Sequence, residues 1–359
     1  MSLSVGIVGL PNAGKSTLFN ALLKKTAALA QNYPFTTIEP NTGIIDIPDP
    51  RLSKLAEVVH TKKLVPATIE FVDIAGLVAG AHKGEGLGNQ FLAHIRETNA
   101  ICYVLRFFED GDIIHVANRV DPIGDLEILE TELQLADLQT LEKQKEAKGV
   151  PSKEQKLLWD VVQKLKTTLA QGKPAREVDL SDDEKKAAQQ LNLITAKPAI
   201  YIANMSESQL HHADEVTKPL TGKVNGSVIA LNAKLESELI DITDDERMEL
   251  LSSVGIAEPA LGKLAKTAYD TLHLMSFLTA GELEARAWTV YSGTKAPQAA
   301  GVIHSDFEKH FIKADCVAYD DFIAYNGWLG ARKAGKARSE GRDYVMQEGD
   351  VVEFKIGQS

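Results

Sequence analysis

The sequence has few of the features that mark secreted, zinc-binding or nucleic-acid-coating proteins. Its 359 residues include only two cysteines, Cys102 and Cys316, which lie far apart and have no CxxC or histidine-rich neighbourhood. That pattern argues against a disulfide framework or a zinc site and suits a reducing compartment. Acidic residues outnumber basic ones by 50 to 39. This balance excludes a strongly basic protein that coats nucleic acid, although it allows a local basic patch.

Long apolar runs and targeting signals are also missing. No stretch approaches the roughly 18 consecutive apolar residues of a transmembrane helix. The first residues lead directly into an apolar segment, without the basic region, apolar region and cleavage site of a secretory leader. We expect a cytoplasmic protein that has no membrane partner, makes no sequence-specific contact with DNA and is a monomer.

What the sequence does contain is the pattern of an α/β protein with more than one domain. Its length predicts two to three domains, and 44% hydrophobic with 25% charged residues is ordinary globular composition. Six short apolar runs are typical of strands covered on both faces, and helical periodicity between several of them predicts a doubly wound, mostly parallel sheet. The runs are Val5–Gly9, Gly43–Ile47, Thr68–Val72, Ala100–Phe107, Ala199–Ala203 and Val228–Leu231.

The gap between the fourth and fifth runs is too long for one crossover helix. An apolar stripe at helical spacing is followed by a break near Lys148–Pro151, and Ser152 with Gln155 forms a capping box that predicts a second helix. Ser181 and Glu184 predict a third helix in the same way. We predict an inserted antiparallel helical arm whose stripes bury against each other; the alternative is that these helices pack on the core of the sheet domain. The first stripe consists of Leu126, Leu129, Leu133 and Ala136.

The last part of the chain has a different texture. Thr243 with Glu246 starts a helix that ends near Gly255, and beyond Met275 a separate α+β module follows. In this module we predict strands at Ala285–Val290 and Val351–Phe354, with a helix at Asp306–Phe311 between them. The predicted domains are 1–124 with 196–274, the insert 125–195, and the C-terminal domain 275–359.

The first apolar run leads into a glycine-rich segment, Gly9–Thr17, which reads G-x-x-x-x-G-K-S and precedes a helical run. A strand before this motif and a helix after it are typical of a phosphate-binding P-loop. Its backbone N–H groups point at phosphate oxygens, and the helix adds its positive N-terminal end. We expect Lys15 to act in catalysis by bridging the β- and γ-phosphates, and the Ser16 hydroxyl to ligate Mg²⁺. The predicted nucleotide contacts here are Asn12, Ala13, Gly14, Lys15, Ser16 and Thr17.

A second phosphate-sensing motif, D-x-x-G, ends the third run. Asp73 is expected to hold a Mg²⁺-bound water, and the Gly76 N–H to contact the γ-phosphate. The motif is weak alone, but its place at the end of a strand after a P-loop makes it specific. Between the two motifs, the loop Asn32–Thr37 contains the threonine that a switch region needs as second Mg²⁺ ligand.

Together these segments resemble the Obg-related branch of P-loop GTPases. The resemblance is carried by Gly9–Thr17, Tyr33–Thr37, Asp73–Leu77 and Gly84–Gly88. Asn204–Glu207, the helical insert and the C-terminal module narrow it to the YchF (Obg-like ATPase) subfamily, over essentially the whole chain. The resemblance implies an α/β P-loop NTPase domain with a C-terminal ubiquitin-like TGS domain. It also implies that Thr37 is the second Mg²⁺ ligand, with Thr36 a neighbouring loop residue.

The base-recognition motif departs from the N-K-x-D of GTPases. Asn204 is kept, but Met205 removes the lysine, and Glu207 extends the carboxylate by a methylene, about 1.5 Å. A site that pairs poorly with the guanine donors loses discrimination, so guanine preference is weakened, and the family resemblance implies that ATP is preferred and GTP binds more weakly. Asn204 can still bridge the base edge and the P-loop. The second base-side loop is Asn232–Ala233, where S-A-K is usual.

Catalysis lacks the glutamine that orients water in Ras-like enzymes, because Leu77 follows the D-x-x-G motif. Either another polar group takes this role or a partner supplies one. His82 and His115 are candidates, each with the alternative of an ordinary loop histidine. The family pattern favours His115.

The C-terminal module resembles the TGS domains of threonyl-tRNA synthetases and some GTPases, which implies contact with the ribosome or structured RNA. Five basic residues in 331–342 face a single acid and can contact phosphates without base specificity. They are Arg332, Lys333, Lys336, Arg338 and Arg342. The alternative is a solvated charged loop.

Three functions fit these observations. The first is a Mg²⁺-dependent ATPase that acts as a nucleotide-controlled switch on the ribosome. The second is a GTPase that tolerates a degenerate base motif. The third is a ribosome- or RNA-binding adaptor in which nucleotide is a structural ligand.

Overall fold

A computed structural model describes residues 3–32, 41–74, 87–109, 120–147 and 149–357. The chain divides into two compact units, Met1–Ile45 with Glu70–Leu264 and Asp46–Ile69 with Ala265–Ser359. Among the described helices, none is long and apolar enough to cross a bilayer.

The described residues contain twelve strands in two sheets. They are β1 (Ser4–Val8), β2 (Thr42–Asp46), β3 (Leu64–Val65), β4 (Thr68–Asp73), β5 (Ala100–Arg106), β6 (Ala199–Asn204), β7 (Ser227–Leu231), β8 (Leu274–Ala280), β9 (Ala285–Tyr291), β10 (Phe311–Ala318), β11 (Arg338–Glu340) and β12 (Asp350–Ile356).

Fifteen α-helices lie in the same described ranges. They are α1 (Lys15–Asn32), α2 (Arg51–Val59), α3 (Leu87–Glu97), α4 (Pro122–Glu142), α5 (Lys153–Ala170), α6 (Asp182–Gln189), α7 (Glu207–Leu210), α8 (Ala213–Thr221), α9 (Ala233–Glu238), α10 (Asp244–Ser253), α11 (Ala260–Thr271), α12 (Ala296–Ile303), α13 (Ser305–Lys309), α14 (Tyr319–Ala324) and α15 (Trp328–Lys333).

The first sheet has the order β2-β4-β1-β5-β6-β7, and its pairs β1–β4, β1–β5, β5–β6 and β6–β7 are all parallel. All six strands predicted from the sequence are present in this sheet. Every residue of β5 and β6 is buried, as expected for central strands with helices on both faces. The strand order places the carboxyl ends of β1, β4, β5, β6 and β7 at one edge, where ligands bind in sheets of this kind.

The helical insert packs differently from the prediction. The stripe of α4, which includes Leu126 and Leu133, lies in the core cluster that contains Tyr103 and Tyr201 of β5 and β6. The stripe of α5 instead packs with α6 and the end of α4 in a second cluster. The prediction that the stripes bury against each other is therefore wrong for most of α4. The spacing of the α4 stripe is compatible with packing on α5 or on the sheet, and in the structure it packs on the apolar face of the sheet.

The ends of the insert follow the predicted signals. The capping boxes of Ser152 with Gln155 and of Ser181 with Glu184 are both formed, and they open α5 and α6. Helix α4 ends at Glu142, before the predicted break. Asp137 of α4 holds the segment that leads from the insert into β6. It is fully buried and accepts hydrogen bonds from the backbone N–H groups at positions 194 and 195 and from the Thr195 hydroxyl at 2.7–2.8 Å.

The second unit holds a mixed sheet with the order β11-β10-β12-β8-β9-β3. The predicted strands at Ala285–Val290 and Val351–Phe354 correspond to β9 and β12. The predicted helix Asp306–Phe311 is shorter, since α13 ends at Lys309 and the buried Phe311 begins β10. Strands β8, β10 and β11 were not predicted, because polar residues interrupt their apolar pattern.

Residues 46–69 belong to this second unit although they lie between two strands of the first sheet. Their strand β3 pairs in parallel with β9, and α2 packs against β8, β9 and α14. The range 1–124 predicted for the first domain therefore contains a segment that the structure assigns to the other unit. A two-residue strand carries too little sequence signal to reveal this.

Candidate nucleotide-binding site

The P-loop turn joins β1 to α1 and depends on two positive φ angles. Asn12 has φ 62° and Gly14 has φ 94°, which is the left-handed region. A Cβ atom on Gly14 would lie 2.0 Å from Nδ2 of Asn204, so a side chain does not fit. Helix α1 begins at Lys15, directly after the turn, so its N-terminus faces the predicted phosphate position.

Lys15 is buried at the start of α1 and is held by the loop itself. Its Nζ donates to the carbonyl oxygens of Gly9 and Leu10 at 2.8 and 3.2 Å. Burial lowers the pKa of Lys15, and the charge of Asp73 partly opposes this. An ammonium group bound only to neutral carbonyls in a buried site is well suited to exchange them for phosphate oxygens.

Asp73 ends β4 and complements this lysine. Burial raises the pKa of its carboxyl group, while the charge of Lys15 lowers it. Its Oδ1 is buried and has no hydrogen-bond partner among the described residues. A buried acceptor without a donor is costly, and a hydrated cation beside the P-loop would satisfy it. The donor set of Asp73 with the Ser16 hydroxyl fits Mg²⁺, which prefers oxygen ligands and keeps several waters.

Beside the phosphate loop lies a pocket of about 500 Å³. It brings together four segments that are far apart in the sequence: the P-loop and the ends of β5, β6 and β7. Of the predicted residues it is lined by Asn12, Gly14, Lys15, Ser16, Thr17, Asn204, Met205, Glu207, Asn232 and Ala233. Ala13 is buried, and its carbonyl oxygen accepts a hydrogen bond from the Asn204 side chain. Thr37, Gly76 and His115 lie outside the described residues, and so does His82.

Asn204, at the end of β6, holds both the P-loop and the loop after β7. Its Nδ2 donates to the Ala13 carbonyl at 2.9 Å, which bridges β6 to the P-loop as expected. Its Oδ1 accepts from the Ala233 N–H at 3.1 Å, so the side chain also holds the loop after β7. Contact between Asn204 and the base edge stays a prediction.

The two residues that depart from N-K-x-D occupy different environments. The Met205 side chain is fully buried and belongs to the same core cluster as Tyr103 and Tyr201. Glu207 is exposed and begins α7 at the pocket wall. Position 207 therefore lies on the pocket wall, whereas the Met205 side chain also packs in the hydrophobic core.

Asn232, which replaces the usual serine in the second base-side loop, makes two side-chain hydrogen bonds. Its Oδ1 accepts from the Leu235 N–H at 2.8 Å and caps α9. Its Nδ2 donates to the Met205 carbonyl at 2.7 Å. One side chain thus links the two base-side loops.

Phe108 and Glu109 line the pocket and were missed by the sequence interpretation. The Phe108 ring is half-buried, and the guanidinium of Arg106 lies 4.5 Å from its centroid. A ring held in this way can stack on a nucleotide base. The available signal was position, because both residues directly follow β5 at the carboxyl edge of the sheet.

The basic residues at 331–342 form a second predicted site, and the structure changes its interpretation. Arg332 pairs with Glu353, Lys336 with Asp321 and Arg338 with Asp350, at 3.1–3.3 Å. The pairs of Arg332 and Lys336 are exposed and worth only about 0–1 kcal/mol, so phosphate can displace them, whereas Arg338 pairs with the buried Asp350. The local charge is largely compensated. Contact with the ribosome or RNA at this segment stays a prediction.

Two family models match the chain. One, described as a 50S ribosome-binding GTPase, covers residues 4–144. The other, the YchF GTPase C-terminal family, described as a protein of unknown function, covers residues 274–357. Their boundaries agree with a P-loop domain at the start of the chain and a TGS-like domain at its end.

Full-length relatives agree with both models. The chain is 50% identical to the ribosome-binding ATPase YchF of Haemophilus influenzae, with 99% of each covered. It is 48% identical to the protein of the same name from Bacillus subtilis, with 99% of this chain and all of the relative covered.

Solved structures support the fold. The Schizosaccharomyces pombe YchF GTPase superposes with a TM-score of 0.88 at 38% identity, covering 99% of this chain and 98% of the other. A GTP-binding protein from Pyrococcus horikoshii, at 18% identity and a TM-score of 0.60, shares the fold alone. The predicted P-loop domain with helical insert and C-terminal TGS-like domain is confirmed, and the chain belongs to the YchF family of Obg-like P-loop nucleotide hydrolases.

Proposed function

We propose that the protein is a Mg²⁺-dependent ATPase that prefers ATP to GTP, and that its nucleotide state controls its association with the ribosome. Two relatives that match over the full length are named ribosome-binding ATPases. The observation that carries the proposal is the pocket itself, which brings the buried P-loop lysine beside a base motif that is not N-K-x-D. On β4, which pairs with the P-loop strand β1, a buried Asp73 oxygen has no hydrogen-bond partner among the described residues. In this proposal the protein works in the cytoplasm, with the ribosome.

At the phosphate end, the P-loop N–H groups and α1 bind the anionic oxygens. Lys15 leaves the Gly9 and Leu10 carbonyls and bridges the β- and γ-phosphates. The exchange is favourable because anionic phosphate oxygens replace neutral carbonyl oxygens as the acceptors of a buried ammonium group. Lys15 thus orients the triphosphate and stabilises the charge that develops on it during hydrolysis.

Ser16, Thr37 and, through water, Asp73 would hold Mg²⁺. When bound, the cation neutralises charge on the β- and γ-phosphate oxygens. Asp73 contributes the one buried carboxylate oxygen in the described site that lacks a donor. Burial raises the pKa of this carboxyl group, and the nearby charge of Lys15 partly opposes the shift.

At the base end, Asn204 binds the P-loop, and Asn232 binds the loop after β6. Phe108 provides an aromatic ring in the pocket wall. Stacking accepts either purine, so selectivity has to come from polar groups at the rim. Glu207 is an exposed acceptor of the base motif, and its extra methylene displaces it from the position at which aspartate pairs with guanine N1 and N2. The displaced carboxylate favours adenine because it weakens the binding of guanine.

Leu77 in place of a catalytic glutamine leaves the attacking water without a protein ligand from that position. We assign this role to His115, with Gly76 contacting the γ-phosphate. We expect slow turnover of the free protein and stimulation by the ribosome, because position 77 offers no glutamine to orient the water.

Steady-state turnover tests the function directly. ATP and GTP hydrolysis are measured with and without Mg²⁺ and with and without saturating ribosomes, using Lys15→Ala as the inactive control. We expect Mg²⁺-dependent turnover, higher kcat/KM for ATP, and stimulation by ribosomes. Higher kcat/KM for GTP would support the GTPase with a degenerate base motif, and turnover near zero even with ribosomes would support the adaptor.

A further inference from the structure

The two asparagines of the base pocket connect different pairs of segments. Asn204 joins the P-loop to the loop after β7, through the Ala13 carbonyl and the Ala233 N–H. Asn232 joins the loop after β7 to the loop after β6, through the Met205 carbonyl. The position of residues 205–207 in the pocket therefore depends on Asn232.

Met205 is held on both sides of its backbone. Its N–H donates to the Leu231 carbonyl at 2.8 Å, and its carbonyl accepts from Asn232 at 2.7 Å. Its side chain is fully buried in the core. Glu207 lies two residues further on and lines the pocket, so the backbone position from which its side chain extends depends on the held Met205 peptide.

A serine at position 232 could not make both contacts. Its hydroxyl could accept from the Leu235 N–H, as Asn232 does at 2.8 Å, but it is one atom shorter and could not also reach the Met205 carbonyl. The extra contact is therefore specific to a side-chain amide, which has a donor and an acceptor on separate atoms.

We infer that Asn232 is a positioning residue for base selectivity: it fixes the Met205 peptide and thereby keeps the Glu207 carboxylate where it pairs poorly with guanine. This inference rests on the proposed preference for ATP. Loss of the Asn232–Met205 hydrogen bond frees residues 205–207, so the pocket loses preorganisation for adenine, and the longer Glu207 side chain can shift towards the guanine donors.

Helix capping is the competing explanation for Asn232, because its Oδ1 caps α9. The two roles use different atoms and can be separated by substitution. Asn232→Asp and Asn232→Ser keep an oxygen that can cap the helix but remove the donor to Met205, whereas Asn232→Ala removes both. In the Asp variant a carboxylate oxygen also faces the Met205 carbonyl oxygen, so repulsion replaces attraction.

The experiment measures dissociation constants for ATP and GTP with Mg²⁺ by calorimetry, together with KM, kcat and thermal unfolding. We expect Asn232→Asp and Asn232→Ser to weaken ATP binding about 3- to 10-fold, the range of one lost hydrogen bond. GTP binding should be unchanged or stronger, so the ATP:GTP preference falls, and kcat should change little because Asn232 contacts no phosphate-binding residue. Ser152→Ala, which removes a cap of α5 in the insert, should lower thermal stability and leave both affinities unchanged.

The inference is overturned if Asn232→Asp and Asn232→Ser keep both wild-type affinities, or if they weaken ATP and GTP equally. Lys15→Ala in the same titration separates this outcome from failure of the proposed function. If the wild-type protein does not bind ATP, or if Lys15→Ala binds it equally well, the proposed function fails. If Lys15→Ala loses ATP while the Asn232 variants keep the wild-type ATP:GTP ratio, only the role of Asn232 fails.

Discussion

The nucleotide pocket and the basic segment at 331–342 use charged residues in opposite ways. At the phosphate end, the buried Lys15 donates to neutral carbonyls, and an oxygen of the nearby Asp73 lacks a partner among the described residues. In the segment, exposed Arg332, Lys336 and Arg338 each face an acid of the same unit. Burial without a matched partner costs free energy that a ligand can recover, whereas exposed pairs are already balanced by solvent and by each other.

The same contrast extends to the two compact units. The unit with the P-loop contains 24 basic and 34 acidic residues, whereas the other contains 15 basic and 16 acidic residues. Nearly all of the net negative charge of −11 therefore lies in the first unit. The second unit is the more favourable side for an approach to polyanionic RNA because it is close to neutral, although it is not strongly basic.

Lys15→Ala should have the largest effect, because its ammonium group acts on phosphates from a buried position. Two lost charge-assisted hydrogen bonds at about 1.5–3 kcal/mol each predict at least a 100-fold loss of ATP affinity. Calorimetry checks this, with Lys24→Ala as a control, since Lys24 is an exposed residue of α1 that pairs with Asp241. Equal affinity in a folded Lys15→Ala protein would contradict the P-loop assignment.

Asp73→Asn should have the next largest effect, and it isolates the cation. The amide keeps the shape of the side chain but loses the charge that holds a Mg²⁺-bound water, so we expect activation of turnover by Mg²⁺ to fall at least about tenfold. ATP binding without Mg²⁺ should be retained, because a negative charge near the phosphates has been removed. A Mg²⁺ titration of turnover that matches the wild type would rule out this role for Asp73.

Rebuilding N-K-x-D tests the base site with a smaller expected effect. Met205→Lys with Glu207→Asp should shift the affinity ratio towards GTP at least about tenfold, since a carboxylate that a bound adenine covers without offering a donor disfavours adenine by about 1–3 kcal/mol. Because Met205 is fully buried in the core, the lysine should also lower the unfolding temperature.

Glu207→Asp alone avoids that cost, because position 207 is exposed, and it should give a smaller shift in the same direction. Calorimetry with both nucleotides, paired with thermal unfolding, separates specificity from stability. An unchanged ATP:GTP ratio in the folded double variant would show that residues 204–207 do not determine the substrate.

The smallest effect is expected in the second unit. Lys333 is exposed and has no ion pair among the described residues, unlike Arg332, Lys336 and Arg338. Lys333→Glu should weaken co-sedimentation with ribosomes a few-fold at low salt, and the difference should vanish as salt screens it. Lys266→Glu, at an exposed position on α11, is the matched control; an equal effect of both variants would remove segment 331–342 as a contact.

Local signals predicted the P-loop unit well. The strands β1 and β5–β7 are continuous apolar runs, and the capping boxes at Ser152, Ser181 and Thr243 depend on residues three positions apart. The stripe of α4 was assigned the wrong partner because periodicity shows that a face is buried but not what covers it. Strand β10 was missed because Lys313 and Asp315 interrupt its apolar residues, and β3 is only two residues long.

In the candidate site, too, residues in local motifs could be predicted from the sequence, whereas contacts that depend on tertiary packing could not. Motifs identified Lys15, Ser16, Asp73 and Asn204, because each follows a strand or glycine pattern. The burial of Met205 depends on the packing of strands and helices that are distant in sequence. The double contact of Asn232 depends on the parallel register of β6 and β7, which no local pattern reveals.

The most direct test of the central claim is a calorimetric titration of the full chain with ATP and with GTP, each in the presence of Mg²⁺. The account predicts that ATP binds with one site and at least about tenfold more tightly than GTP, because Glu207 is misplaced for the guanine donors. Equal affinities, or tighter binding of GTP, would contradict the claim that this base pocket selects adenine.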